Sequence, residues 1–204
     1  MRSLVEILRK YYQTILNYFF RGNNLLRIML HKGHGNVIKV GEGSVLKRCC
    51  FIITGGGGNK IVIGKNCNLQ GVRFFMESDN NSIIINSNVV INASNAQPTL
   101  LNACDGRSIE IGERSLLSNS IEMHTTDYHV IQDANGNVEN MSDDIFVGNH
   151  VWIGLQCILL KGTKVADGCV VGARSLLTKE YKEKNTIIAG QPAIIIKKNI
   201  YWKH

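Results

Sequence analysis

Along residues 147–177 one large aliphatic side chain returns at every sixth position: Val147, Ile153, Leu159, Val165, Val171 and Leu177. The same beat runs through Val40, Leu46 and Ile52, then Ile63, Leu69 and Phe75, then Ile85 and Ile91, then Ile111, Leu117 and Met123. Glycine follows the aliphatic at Gly41, Gly64, Gly112, Gly148, Gly154 and Gly172. Four residues after the aliphatic the side chain is small or β-branched, as at Ser44, Cys50, Cys67, Val89, Ser115, Val151, Cys157, Thr163, Cys169 and Ser175; Arg73, Asn95 and Ile121 depart from the rule. A period of six belongs neither to an α-helix nor to an alternating strand. It fits a chain that turns a corner every six residues, with the aliphatic pointing inward and the small residue at the bend. Three such sides close one coil of a triangular parallel β-helix, and coils stack as in other solenoids. The predicted fold is therefore mainly β, a parallel β-helix over 36–198 with 199–204 as a tail. Insertions such as GGGG (55–58) and MESDNN (76–81) blur the phase.

Ahead of the repeat, Leu4, Leu8, Tyr11, Ile15 and Phe19 approach helical spacing, and Gly22 is a stop signal. Residues 1–35 are expected to form a helical arm that caps the open end of the solenoid. The arm is also basic and aromatic, which suits peripheral contact with an anionic membrane. Charge supports that asymmetry: residues 1–48 hold nine Lys/Arg against two Glu, while the rest of the chain is balanced, for a net charge of +7. No recognition helix or RNA-binding signature accompanies the basic patch, so nucleic acid ranks last as a partner. Neither a cleavable leader nor a run of about 20 apolar residues is present, which points to a cytoplasmic protein, at most at the inner face of the membrane. Proline is scarce (2) and glycine frequent (20), so bends must come from residues that tolerate positive φ. The six cysteines show no C-x-x-C spacing. Four of them fall at the small bend position, where a free cysteine acts as a small apolar residue, and no metal is expected.

The beat is lost once, between Met123 and Val147, leaving a protruding loop over 124–146 that opens with HTTDYH and holds the turn signal DANGN. Long irregular segments inside a compact domain are usually functional or disordered, and this one, flanked by good coils, should project from a fixed edge as functional loops commonly do. Two of its residues, His124 and His129, have the side chain best suited to accept a proton near neutral pH. Such a ring needs a partner that fixes its tautomer, and a carboxylate such as Asp127 is one option.

The six-residue repeat resembles that of the hexapeptide-repeat acyltransferases over about residues 36–198. The family implies a left-handed β-helix, an exception to the usual right-handed crossover, and homotrimers that bind acyl-CoA between neighbouring β-helices. Asp127-Tyr128-His129 resembles the D-x-H motif of the capsule and O-antigen sugar O-acetyltransferases, in which that histidine is the base. The resemblance makes His129 the first candidate base, with His124 the second. It makes Asp127 an orienting or acceptor-contacting residue, and places Tyr128 and Trp152 (in HVWIG) at the acceptor. It also implies Trp152, Gly154 and Ala173 beside the pantetheine of acetyl-CoA, Thr178 and Lys179 near the adenosine, and Lys197 at phosphate. Ile194 stands where related sugar enzymes often have arginine. The implied activity is acetyl transfer from acetyl-CoA to a hydroxyl of a surface-polysaccharide sugar or its precursor, directly and without an acyl-enzyme. Serine O-acetylation, N-acetylation of an amino-sugar, antibiotic acetylation and a non-catalytic assembly platform remain rivals. A carbonic-anhydrase-like metal site would need three histidines in successive coils, and His124, His129 and His150 lack that placement.

Overall fold

The computed structural model describes residues 34–203 together with the backbone of 27–30. Regular structure there consists of strands, and each revolution of the chain visits three faces in turn. The first face stacks Arg27–Leu30, Cys50–Ile53, Val72–Glu77, Thr99–Cys104, Glu122–His124, Ile158–Leu160 and Leu176–Leu177. The second stacks Val37–Val40, Lys60–Ile63, Ser82–Ile85, Ser108–Ile111, Ile145–Val147, Lys164–Val165 and Glu180–Tyr181. The third stacks Val45–Lys47, Asn68–Gln70, Val90–Asn92, Leu116–Leu117, Trp152–Ile153, Val170–Val171 and Ile187–Gly190, and closes with the antiparallel strand Ala193–Lys197. This is the left-handed parallel β-helix that the spacing and the family resemblance together lead one to expect.

Each face contributes a column of side chains to the core. Phe51, Phe74, Leu101, Met123, Leu159 and Leu177 line the first face, and Leu46, Leu69, Ile91, Leu117, Ile153, Val171 and Ile188 line the third; all are buried. The expected phase fails in the early coils. Ile52 and Phe75, assigned to the interior by the strict six-residue count, pair with each other and point outward, half-buried. Phe51, Ile53, Phe74 and Met76 fill the interior instead, with Phe51 and Phe74 stacked at 4.6 Å. The bend leading to the first face is one residue shorter here, running Leu46 to Phe51 and Leu69 to Phe74, than in the later step from Leu117 to Met123. A strand has a side-chain period of two, so a slip of one residue exchanges inside and outside. The buried bend cysteine is accordingly Cys49, and Cys50 is only half-buried.

A second difference concerns the arm. Arg27–Leu30, read as helical, is a strand paired in parallel with Cys50–Ile53. The exposed edge of that strand presents a row of backbone groups that another strand satisfies and a helix cannot. Leu4, Leu8, Tyr11, Ile15, Phe19 and Gly22 lie outside the described residues.

Edges between faces need special backbone. An ideal Cβ on Gly112 would sit 2.4 Å from the carbonyl carbon of Gly148, so stacked coils approach too closely there for any side chain. Elsewhere the bend uses left-handed φ at Asn66, Asn88, Arg114, Gln156 and Arg174, which proline cannot supply. At the edge between first and second faces asparagines stack, Asn36 half-buried and Asn59 and Asn81 buried. Asn59 N–H donates to Asn36 Oδ1 (3.0 Å), Asn81 N–H and Nδ2 donate to Asn59 Oδ1 (2.9 and 2.8 Å), and Gly106 N–H donates to Asn81 Oδ1 (2.9 Å). The GGGG and MESDNN insertions are ordered bends of this same edge, and the interruption emerges from it two coils later.

The register makes a direct stability contrast. Phe74→Ala should cost about 3–5 kcal/mol, whereas Phe75→Ala should cost about 1 kcal/mol or less, measured by chemical denaturation. The reverse order would restore the strict six-residue phase.

Candidate active site

Between Glu122–His124 and Ile145–Val147 the chain leaves the solenoid as a loop over 125–144, slightly shorter than expected from sequence. Both ends are stitched to the coil before. Thr125 Oγ1 accepts the Cys104 N–H (2.9 Å) and donates to the Cys104 carbonyl (3.1 Å), while Asp143 N–H donates to the Thr125 carbonyl (3.1 Å). Asp105 Oδ2 accepts from Ser142 Oγ (2.6 Å) and Thr126 Oγ1 (2.7 Å), and these two hydroxyls hold its carboxyl below the ordinary value. Farther out, Gln132 bridges Val138 across a narrow hairpin whose turn is tied by the Asp133 carboxylate to the Asn135 and Asn137 amides.

Asp127, Tyr128 and His129 form the tightest turn of the loop. His129 N–H donates to the Asp127 carbonyl (2.8 Å), and Tyr128 takes φ = +63°. For a tyrosine that conformation costs on the order of 1–3 kcal/mol and persists only where the surroundings enforce it. Tyr128 N–H is held by Thr126 Oγ1 (3.1 Å), and its phenol oxygen accepts from Asn102 Nδ2. Burial pushes the phenol up to about 12, so it stays protonated at neutral pH. The turn thrusts His129 outward, with its side chain exposed and its imidazole free of hydrogen bonds to the other described residues.

Asp127 does not orient that ring. Its Oδ2 is taken by Lys161 Nζ and by Asn140 Nδ2 (2.9 Å). Asn140 Nδ2 also reaches the His129 carbonyl (2.7 Å), its Oδ1 accepts the Ile131 N–H (2.7 Å), and Lys161 Nζ reaches the Asn140 carbonyl (2.7 Å). Asp127 therefore fixes the backbone that carries His129. Its carboxyl is held below the ordinary value, first by the Lys161 hydrogen bond and then by Asn140. Sequence reasoning missed both partners: Lys161 looks like any surface charge at a bend, and Asn140 like one more polar loop residue.

His124, the second candidate base, stands on the first face and points outward. Asn102 Nδ2 lies 3.0 Å from its Nδ1, and Glu122 Oε2 lies 3.3 Å from its Nε2. An amide donor at Nδ1 requires a lone pair there, which puts the ring proton on Nε2, toward Glu122. Both nitrogens of His124 are thus engaged. Asn102, 2% exposed, serves His124 and Tyr128 together. Nothing in TLLNAC marked it out.

The remaining predicted residues occupy different edges of the prism. Thr178 and Lys179 follow Leu177 at the first-to-second edge, the one that carries the loop. Trp152, 40% exposed, opens its strand on the third face just past the second-to-third edge. Lys197 pairs with Ile187 at the end of the third face nearest that edge. Gly154 and Ala173 stack at the third-to-first edge, where an ideal Cβ on Gly154 would lie 2.7 Å from Ala173 N. Within one chain the structure groups His129 with Asp127 and Tyr128, and separates that group from Trp152, Gly154, Ala173 and Lys197. Among the described residues no group of three His, Cys, Asp or Glu is placed to hold a metal ion, and no helix is long and apolar enough to cross a membrane.

The clamp on the loop has a measurable signature. Lys161→Met or Asn140→Ala should accelerate amide exchange at His129 and Ile131 by about tenfold at neutral pH, with the solenoid strands unchanged. Acid should act similarly on the wild type. A depressed carboxyl stabilises fully above its unfolded value, about 3.9, and loses that contribution as pH falls through the lower folded value. Peptic cleavage within 128–142 should therefore rise as pH drops below about 4, and Lys161→Met should show it at higher pH.

The chain matches no family model. A polysialic acid O-acetyltransferase of Neisseria meningitidis is 30% identical over 188 residues, covering 84% of this chain and 87% of that protein. The galactoside O-acetyltransferase of Escherichia coli (strain K12) is 31% identical over 97 residues, a match spanning about half of either protein, 48% of this chain and 47% of the other. Among solved structures, the polysialic acid O-acetyltransferase OatWY superposes with a TM-score of 0.58 at 26% identity over 88% of this chain and 90% of that one. The polySia-specific acetyltransferase NeuO superposes with a TM-score of 0.64 at 24% identity over 88% and 82%, a likeness of fold. With its three-sided coil and the extent of the Neisseria match, the chain belongs to the hexapeptide-repeat acetyltransferases.

Proposed function

We propose that this acetyltransferase moves the acetyl group of acetyl-CoA to a hydroxyl of a saccharide, with His129 as general base. The observation that carries the reading is the imidazole of His129, presented on a strained and clamped turn without a hydrogen bond to the other described residues, whereas His124 has both ring nitrogens engaged. The sugar acceptors named for the relatives, polysialic acid and galactosides, support a saccharide.

In this reading an imidazole nitrogen of His129 takes the proton of the acceptor hydroxyl as its oxygen attacks the thioester carbonyl carbon. The tetrahedral intermediate collapses with cleavage of the carbon–sulfur bond, and the CoA thiolate recovers the proton from the imidazolium. Both substrates are bound together. A cysteine relay is disfavoured because burial raises the thiols of Cys67, Cys104 and Cys157 and pushes Cys49 up to about 11, leaving little thiolate. Features suited to acetyl-CoA are spread over the three edges of the chain. The exposed small residue Ala173, stacked on the buried Gly154, leaves room for the thin pantetheine arm, while Lys179 and Lys197, on the other two edges, are exposed cations for phosphate.

The separation of His129 from Trp152 on different edges favours sites completed between subunits. A closed threefold ring repeats one such contact three times, bringing the loop edge of one subunit to the third face of the next.

Release of CoA thiol should require a sugar acceptor, with sialylated and galactosyl acceptors tried first. If sites form between subunits, a mixture of inactive His129→Ala and inactive Trp152→Ala chains, coexpressed in equal amounts, should recover about a quarter of wild-type turnover, because one contact in four pairs two intact residues. No recovery in mixed oligomers would place both residues in one subunit's site. Acetyl-CoA consumed with amine acceptors alone would favour N-acetylation.

A further inference from the structure

Both tryptophans of the chain meet at the second-to-third edge, with the ring centroids of Trp152 and Trp202 6.1 Å apart. Past Ala193–Lys197 the chain folds back over the solenoid, anchored where Ile200 N–H donates to the Asn185 carbonyl (2.9 Å). Trp202 then lies flat on His150, 4.1 Å between centroids and 6° between planes. Two hydrogen bonds lock the pair reciprocally. Trp202 Nε1 donates to the His150 carbonyl (3.0 Å), and His150 Nε2 lies 3.1 Å from the Trp202 carbonyl. A carbonyl can only accept, so Nε2 carries the ring proton.

This clasp grips the backbone that launches Trp152. His150 occupies the bend with φ = +53°, two residues before Trp152, and the strand that follows is only Trp152–Ile153. An outward indole on so short a strand has several staggered rotamers open to it. Trp202, only 8% exposed, is the aromatic ring set beside it, tilted by 44°, while Trp152 keeps a solvent-facing side.

We propose that Trp202 is a positioning residue. Through its stack on His150 and its contact with Trp152, the segment 199–203 sets the orientation of the Trp152 indole in the acyl-transfer cleft. The inference rests on the reading that Trp152 walls that cleft. It deepens that reading by giving the tail a part in the site that sequence alone did not assign.

Removing Trp202 leaves Trp152 as the sole tryptophan, so its emission reports the contact directly. Trp202→Ala should shift Trp152 emission to the red and raise its acrylamide quenching about twofold relative to Trp202→Phe, which keeps a stacking ring. The Ala variant should also lose about tenfold in kcat/KM for acetyl-CoA, less than the roughly 10²-fold that a 1 Å misplacement in a site can cost. Trp202→Phe should recover most of it, and Lys203→Ala should match wild type. If Trp202→Ala fails to fold, Trp202→Leu against Trp202→Phe makes the same comparison. Equal emission and quenching in the two variants, or wild-type kcat/KM in Trp202→Ala, would overturn the proposal. Wild-type turnover in Trp152→Ala would strike the cleft assignment instead, and the quenching contrast, which needs no turnover, would still uphold the contact.

Discussion

Coil-on-coil hydrogen bonding is the constraint on which the molecule depends. Within each face the parallel strands bond to the coil before and the coil after, with the antiparallel strand Ala193–Lys197 closing the last coil, so all coils must keep the same sides and the same inward columns. Burying a side chain such as Leu159 or Ile153 contributes about 1.5–3 kcal/mol each time the register is kept. Anything that departs from the register must leave at an edge. The insertions near GGGG and MESDNN and the loop over 125–144 all do so at the edge between the first and second faces, where the stacked asparagines Asn36, Asn59 and Asn81 close the bends.

That edge lets the loop hold a strained turn. The loop is held from the preceding coil by Asp105 and Asn102, and from the following coil by Lys161. Tyr128 can remain in the left-handed region because both sides of its turn are fixed, and the His129 imidazole is displayed without a hydrogen-bond partner among the described residues. An ion pair at an exposed loop ordinarily contributes little. Here its geometry matters more than its energy, since Lys161, Asn140 and Asp127 together define where the His129 backbone lies.

The sequence announced the architecture because a solenoid writes its period directly into the chain, and Val147 to Leu177 repeat without error. It misled at Ile52 and Phe75, because a bend shorter by one residue leaves aliphatic and aromatic composition intact while reversing which side chains face inward. FII and RFFM read equally well in either phase. The strand Arg27–Leu30 was hidden for a similar reason: its pairing partner lies 23 residues on, and no local period marks it. At the site, the motif Asp127-Tyr128-His129 was legible, but the division of labour was not. Whether a carboxylate faces an imidazole or a lysine depends on residues one coil away, and Lys161, Asn140 and Asn102 carry no spacing that would disclose them. The clasp of Trp202 on His150 joins positions 52 residues apart and is equally silent in the chain.

The account stands on the claim that the break in the repeat presents His129, rather than His124, to the thioester. Its most direct test is the acceptor-dependent release of CoA by His129→Ala and His124→Ala, each compared with wild type under saturating acetyl-CoA. The account predicts a fall in kcat of about 10²–10⁴ for His129→Ala, the range of a lost general base, and a much smaller effect for His124→Ala. Undiminished turnover in His129→Ala alongside an inactive His124→Ala would contradict it.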